Sequence, residues 1–252
     1  MKTLQKDLLT VNIYPTRSEM GASAARDIKA CILSLLEKKE TINMIFAAAP
    51  SQNEVLASLA NDKEIPWNRV NAFHMDEYIG LAADAPQGFG NFLRDHIFGI
   101  ADFKSVNYID ITAKDADAEC GRYAALLAKY PTDIVVMGIG ENGHIAFNDP
   151  PVADFNDAKA VKPVALDEIC RQQQVNDGCF AKLDDVPKTA ITLTVPMLFA
   201  GDHLFCIVPA ATKANAVRAT LCGEIGEACP ATVLRRHKSA VLYLDSDSSA
   251  LL

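Results

Sequence analysis

The sequence has no excess of basic residues, because 24 Lys and Arg stand against 32 Asp and Glu, for a formal net charge of −8. Binding along nucleic-acid phosphates needs a basic face, so the composition gives no support for a nucleic-acid partner. An anionic ligand must instead be held by a local group of side chains.

The sequence also lacks paired cysteine motifs and long apolar runs. Its seven cysteines are scattered, and none stands in C-x-x-C spacing, so we expect neither a disulfide framework nor a zinc site. The first residues, MKTLQKDLLTVNIYPT, contain no apolar segment of the signal-peptide kind, and no later run is long enough to cross a bilayer. These features predict a cytoplasmic protein with reduced thiols and no membrane partner.

Hydrophobic residues make up 50% of the chain and charged residues 22%, which is typical of a folded globular protein. Short apolar runs alternate with segments of helical periodicity. Strands are predicted at 42–48, 70–75, 105–109, 133–138, 190–194, 204–208 and 240–244, and helices at 18–39, 52–60, 87–98, 115–129 and 212–221, the first capped by Ser18. This alternation predicts an α/β fold with a single doubly wound, largely parallel sheet and helices on both faces.

No segment rich in Gly, Ser or Pro divides the chain, so we expect a single domain over residues 1–252. The stretch from about 150 to 188 differs from the rest, because it is polar and carries two adjacent prolines and a run of three glutamines. Long insertions in compact enzymes are often lids. We therefore expect a mobile, lid-like insertion there and no core element.

Ligands of open parallel sheets bind beyond the carboxyl ends of the strands, and the first candidate there is Ser51 with Gln52, after strand 42–48. A serine at the opening of a helix presents its hydroxyl and free backbone N–H groups to an anion. The alternative is that Ser51 only caps the helix.

Asp76 is the second candidate, in the segment MDEY that follows strand 70–75. Adjacent residues point to different sides, so only one of Asp76 and Glu77 can face a cleft, and Asp76 is nearer the strand end. Its carboxylate could move a proton on and off carbon. The alternative is a turn carboxylate bonded to local backbone.

The segment GIGENGHIAFNDP at 138–150 is the most specific motif in the sequence. Its glycines permit close backbone approach and positive φ. Asn142, His144 and Asp149 combine a polar side chain, an imidazole that titrates near neutrality and a carboxylate that can orient it.

These segments together resemble the glucosamine-6-phosphate deaminase/isomerase family. The matching pieces are MDEY (75–78), GIGENGHIAFNDP (138–150), DVPKTAITLTVPML (185–198) and the segment around Lys213, in the same order and over nearly the whole chain. The wider superfamily includes 6-phosphogluconolactonase, and the continuation IAFNDP resembles the deaminases. The resemblance implies a phosphorylated amino sugar as the small-molecule substrate, and a ketose 6-phosphate and ammonia as products.

The resemblance also implies roles for individual residues. Asp76 matches the base that carries a proton between C2 and C1, and His144, helped by Asn142 and Asp149, matches the group that opens the sugar ring. For the substrate phosphate, Lys213 matches a contacting lysine, and Ser51 with Gln52 falls in the phosphate loop. Acid–base groups suffice for this chemistry, so we expect no metal and no organic cofactor.

The sequence departs from the family pattern mainly around the phosphate. Asp149 stands where the family usually has Glu, Pro50 removes one N–H from the phosphate loop, and Gly178 stands where the lid usually has an arginine. Arg171, a few residues upstream, is the candidate to replace that arginine as a substrate ligand.

Two other functions remain open at this stage. One is a lactone hydrolase of the 6-phosphogluconolactonase kind, in which His144 would activate water. The other is a sugar-phosphate-binding protein without turnover. The sequence also leaves open whether the chain forms a homo-oligomer.

Overall fold

The computed structural model describes residues 1–252 and contains eleven strands. They are β1 (Lys2–Lys6), β2 (Leu9–Ile13), β3 (Ile42–Phe46), β4 (Val70–His74), β5 (Asp76–Tyr78), β6 (Ser105–Asn107), β7 (Ile134–Met137), β8 (Val161–Ala165), β9 (Thr189–Leu193), β10 (His203–Val208) and β11 (Ala240–Leu244). Eight of them form one sheet in the order β1-β2-β11-β10-β7-β3-β4-β6. Every neighbouring pair in that sheet is parallel except β1 with β2, so the predicted, largely parallel sheet is confirmed.

Helices connect these strands and cover the sheet. They are α1 (Arg17–Leu36), α2 (Asn53–Asn61), α3 (Phe89–Leu93, continued by a π-helical turn over Arg94–Phe98), α4 (Ala116–Lys129), α5 (Glu168–Asn176), α6 (Val195–Phe199) and α7 (Ala214–Cys222). None of the helices combines the length and the apolar character needed to cross a membrane.

The core lies on both faces of the large sheet, because side chains along a strand alternate between the faces. In β3, Met44 and Phe46 belong to one apolar cluster of 35 buried residues, which also takes in the inner sides of α1, α2 and α3. Ile45 belongs to the second cluster of 32 buried residues, with residues of α4, α6 and α7. Burial on both faces explains why these strands read as continuous apolar runs in the sequence.

A second sheet, which the sequence analysis missed, contains β5, β9 and β8 in antiparallel order. The predicted strand at 190–194 belongs to this sheet, where β9 lies between the other two, and the expectation that one sheet holds every strand was therefore wrong. β5 begins at Asp76, only two residues after β4 ends at His74. The chain thus leaves the large sheet for the small one at the predicted catalytic carboxylate.

Two predictions near the amino terminus need correction. The hydroxyl of Thr16, and not that of Ser18, accepts the capping hydrogen bond from the Glu19 N–H at the start of α1, at 3.2 Å. The antiparallel pair β1 and β2 was also missed. Residues of β1 are mostly exposed, so that strand lacks the apolar run by which the other strands were recognised.

We had expected the polar stretch at 150–188 to be an insertion outside the core, and this expectation was wrong. It contributes β8 to the small sheet and the whole of α5. Val161, Cys170, Phe180 and Val186 from this stretch are buried in the two apolar clusters or their contacts. The hydrophobic residues are spaced too widely to form a visible pattern, which is why the stretch reads as polar.

The large sheet has a switch point between β7 and β3. From β3 the chain continues to β4 on one side, and from β7 it continues to β10 on the other. In open α/β sheets, the crevice for a ligand lies outside the carboxyl ends of the strands at such a point. Residues that follow β3 and β7 are therefore placed to form a site.

Candidate active site

A cavity opens at this switch point and has a volume of about 490 Å³, including its open mouth. Its lining comes from the ends of β3, β4, β7 and β10 and from α5, and consists of residues 47–49, Ser51, Gln52, Met75, Asp76, Phe89, residues 138–140, His144, Ala146, Phe147, Gln173, Gln174 and Lys213. A concave site with apolar walls and a few convergent polar side chains is typical of small-molecule binding. Five residues predicted from the sequence, Ser51, Gln52, Asp76, His144 and Lys213, thus line one cavity.

Asp76 and Glu77 point to different sides of β5, as expected of neighbours in a strand. Asp76 lines the cavity. Glu77 points away from it and accepts hydrogen bonds from the backbone N–H groups of Tyr78 (2.9 Å), Phe89 (3.0 Å) and Gly90 (2.8 Å). Glu77 therefore joins β5 to the start of α3, while the Asp76 side chain faces the cavity.

The Asp76 carboxyl is 7% exposed and has no hydrogen-bond partner in the protein. Burial raises its pKa well above the ordinary range, and the nearby carboxylates of Glu77 and Asp149 raise it further. A higher pKa makes the ionised carboxylate a stronger base, as abstraction of a proton from carbon requires.

Glycines shape the turn that follows β7. Gly143 has a φ of +84°, a conformation that side chains rarely adopt, and its N–H donates to the carbonyl of Gly140 at 3.0 Å. The imidazole of His144 then folds back over Gly140, where a Cβ would lie 2.1 Å from the ring Cε1. The glycine at position 140 is therefore what makes room for the imidazole.

His144 is held by two oxygens at one side of its ring. Its Nδ1 lies 2.7 Å from Asn142 Oδ1 and 2.9 Å from Asp149 Oδ1. Both oxygens are acceptors, so Nδ1 carries the proton in the neutral ring. Nε2 has no partner in the protein and is then the unprotonated nitrogen, ready to accept a proton.

Asn142 and Asp149 complete this arrangement. Asn142 Nδ2 donates to Asp149 Oδ1 at 2.9 Å, and Asn142 Oδ1 accepts from the backbone N–H of His144 at 3.0 Å. Asp149 is buried, which by itself would raise its pKa, but the contacts with His144 and Asn142 bring that pKa below the ordinary value. Its carboxylate is therefore ionised and stabilises a positive charge on His144.

Ser51 and Gln52 lie after β3 in a short 3₁₀ turn, Pro50–Gln52, that precedes α2. Neither side chain caps α2, so capping alone does not explain Ser51. Gln52 Nε2 donates to Ser51 Oγ and to the carbonyl of Ile207, both at 3.1 Å. Ser51 Oγ accepts that hydrogen bond, which leaves its own proton for a ligand in the cavity.

Lys213 follows β10, at the end of a second 3₁₀ turn that leads into α7. Its side chain is 5% exposed, and it forms no hydrogen bond or ion pair within the protein. Burial lowers its pKa, although the more distant charges of Asp177 and Glu141 oppose that change. A buried ammonium group without a partner favours an anionic ligand.

Arg171 does not line this cavity. Its guanidinium donates to the carbonyls of Leu183 (2.7 Å) and Val186 (3.0 Å), which ties α5 to the following loop. Two neighbours on α5, Gln173 and Gln174, line the cavity instead. Neither could be predicted from the sequence, because the run of three glutamines carries no indication of which side of the helix faces the sheet.

Comparison with known proteins agrees with the fold. A family model described as glucosamine-6-phosphate isomerases/6-phosphogluconolactonase matches residues 15–243, and the chain belongs to this family.

Individual relatives carry more specific names. The glucosamine-6-phosphate deaminase of Lactobacillus delbrueckii subsp. bulgaricus is 30% identical over 246 residues, which cover 97% of this chain and 100% of that protein. A Bacillus cereus protein of the same name is 33% identical over 220 residues, covering 87% of this chain and 82% of its own.

Solved structures are similar along nearly the whole chain. One described as a monomeric glucosamine-6-phosphate deaminase matches with a TM-score of 0.86 at 27% identity and covers 96% of this chain and 99% of its own. The 6-phosphogluconolactonase of Thermotoga maritima matches with a TM-score of 0.77 at 20% identity, covering 94% and 99%. The second match shows a shared fold only.

Proposed function

We propose that this protein converts an amino-sugar 6-phosphate of the glucosamine 6-phosphate kind, with water, into a ketose 6-phosphate and ammonia. The observation that carries the proposal is the convergence of Asp76, His144 and Lys213 on one cavity. The relatives named glucosamine-6-phosphate deaminase support the same reaction. The free thiols of all seven cysteines suit a reducing compartment, and we place the reaction in the cytoplasm.

His144 opens the sugar ring in this proposal. Its unprotonated Nε2 takes the proton of the C1 hydroxyl, and the resulting imidazolium returns a proton to the ring oxygen. The Asp149 carboxylate stabilises the imidazolium. Asn142 is hydrogen-bonded to both His144 and Asp149 and fixes their relative position. Opening exposes the C1 aldehyde, which acidifies the proton on C2.

Asp76 then acts as the base of the isomerisation. Its carboxylate removes the C2 proton, giving an enediol-type intermediate with the nitrogen on C2, and returns the proton to C1. The product is an imine at C2. Water adds to that carbon, and the C–N bond breaks to release ammonia and leave the ketose. Ring opening and isomerisation thus use positioned acids and bases.

Lys213 and Ser51 bind the phosphate in the same cavity. The buried ammonium of Lys213 neutralises part of the phosphate charge, and the Ser51 hydroxyl donates to a phosphate oxygen while Gln52 orients it. Pro50 supplies no N–H. Arg171 has no part in this site, because the loop carbonyls occupy its guanidinium.

An ammonia-release assay with hexosamine 6-phosphates, and with 6-phosphogluconolactone as the control, tests the function. We expect ammonia and ketose 6-phosphate in equal amounts from an amino sugar, and loss of both with Asp76→Asn. Acid release from the lactone without ammonia from any amino sugar would indicate a lactonase. Binding of hexosamine 6-phosphates without either reaction would indicate a binding protein.

A further inference from the structure

A third polar side chain lies beside His144 and Asp149 and has no role in the proposed reaction. It is Cys170, on α5, and its sulfur belongs to a group of three possible metal ligands with His144 and Asp149, all within 4.8 Å of one another. All three residues are buried, with exposed fractions of 8% for His144 and 1% for the other two. No other group of three such ligands is present in the protein.

One oxygen of this group has only a weak partner. Asp149 Oδ1 contacts His144 and Asn142, while Asp149 Oδ2 is fully buried without a conventional hydrogen bond, and the neighbouring Cys170 thiol is the remaining donor to the carboxylate. A thiol is a weak donor, so this buried charge is poorly satisfied. A buried carboxylate oxygen beside a thiol and an imidazole is therefore a position where a cation would be stabilised.

We propose that His144, Asp149 and Cys170 bind one divalent transition-metal ion of the zinc or cobalt type. A nitrogen, an oxygen and a sulfur ligand suit these ions, and three protein ligands with the fourth position left to water is the composition of open zinc sites. With a thiolate, a carboxylate and a neutral imidazole, the charges of the ion and its ligands sum to zero, as burial favours. The lack of C-x-x-C spacing does not argue against this site, because it uses a single cysteine.

Metal binding would change which ring nitrogen of His144 carries the proton. The ion displaces the thiol proton of Cys170 to solvent and takes the lone pair of Nδ1, so the single proton of the neutral ring moves to Nε2. Nε2, which points away from Asp149, would then carry a proton and act as a donor. Ring opening needs Nε2 to accept a proton. The metal therefore inhibits the proposed reaction, and a chelator restores it. This consequence depends on the proposed function, but binding of the metal does not.

Titration of the metal-free full chain with Co²⁺ tests the site directly, because a cobalt–thiolate bond absorbs in the near ultraviolet. We expect one Co²⁺ per chain, release of Co²⁺ by Zn²⁺, and loss of the absorption in both Cys170→Ser and Asp149→Asn. The two variants change different elements, so misfolding of one leaves the other informative. Cys179→Ser and Cys222→Ser, which change thiols outside the group, keep the absorption.

Three results would overturn the proposal: no cobalt–thiolate absorption in the unchanged protein, absorption that persists in Cys170→Ser, or absorption that disappears in the Cys222→Ser control. If Zn²⁺ bound and ammonia release were unchanged, His144 would be excluded as a ligand of the metal. If the protein released no ammonia from any substrate, the proposed function would fail while the Co²⁺ titration would still decide the metal site.

Discussion

The imidazole of His144 lies over the α-carbon of Gly140, so closely that a methyl group on residue 140 would come within 2.4 Å of three ring atoms. The contact joins two residues of the same turn and orients the ring between the cavity and Asp149. The position of the proposed ring-opening group thus depends on a residue that has no side chain.

Gly140→Ala should therefore reduce activity strongly. The added methyl group displaces the ring, and we expect kcat/KM to fall by about 100-fold or more, as for loss of an acid–base group. Gly121→Ala is the matched control, because Gly121 is an exposed position of α4 with open space around it. That variant should keep its activity and gain about 0.5 to 1 kcal/mol of stability. Equal activity in both variants would contradict the packing argument.

Asp76→Asn should abolish turnover and leave binding of the phosphorylated sugar largely intact. The amide retains the shape of the side chain but cannot take the C2 proton, and loss of such a base costs about 10²- to 10⁴-fold in rate. Steady-state ammonia release measures turnover, and thermal stabilisation by a substrate analogue measures binding. A variant with full activity would exclude Asp76 as the base.

The pH dependence of kcat/KM should show an acid limb set by Asp76. A base acts in its ionised form, and burial raises the pKa of Asp76 well above the ordinary aspartate value. Activity is therefore lost as the pH falls through this raised pKa, at a higher pH than an exposed aspartate would give. A profile that stays flat down to the ordinary range of a carboxyl group would show that Asp76 does not control the reaction.

Lys213→Ala should act mainly on KM. A phosphate contact is present in both the ground and transition states, and its loss is a loss of uniform binding. A hydrogen bond to a charged group is worth about 1.5 to 3 kcal/mol, or roughly a 10- to 100-fold rise in KM. Lys188→Ala, at an exposed lysine, should change nothing. A loss confined to kcat would contradict the role of Lys213.

Glu77→Gln should destabilise the fold. The Glu77 carboxylate accepts three backbone hydrogen bonds, and a glutamine would turn an N–H₂ group toward at least one of those N–H donors. Leaving a buried donor unpaired costs about 1 to 3 kcal/mol. Chemical denaturation measures the change, and Glu40→Gln at an exposed position is the control. Unchanged stability would show that these three bonds are dispensable.

Much of the fold could be predicted because the strands of the large sheet are buried on both faces. Runs such as Ile134–Met137 are continuously apolar, and polar candidates follow them at one edge of the sheet. The small sheet could not be predicted in the same way. β5 has three residues, two of them charged, and β8 contains Pro163, which disfavours a strand assignment.

The candidate site was predictable wherever a residue follows a strand of the large sheet. Asp76, His144 and Lys213 all do, and all three reach the cavity. Arg171 lies on a helix, where sequence alone does not fix which face turns inward. Its guanidinium is occupied by loop carbonyls, while Gln173 and Gln174 reach the cavity from the same helix.

The antiparallel ladder that contains β5 connects the carboxylate of Asp76 to the segment that covers the cavity. β5 pairs with β9, β9 pairs with β8, and β8 leads within a few residues into α5. That helix lines the cavity with Gln173 and Gln174, so two rows of backbone hydrogen bonds link Asp76 to part of the cavity wall. One small sheet therefore holds both in place.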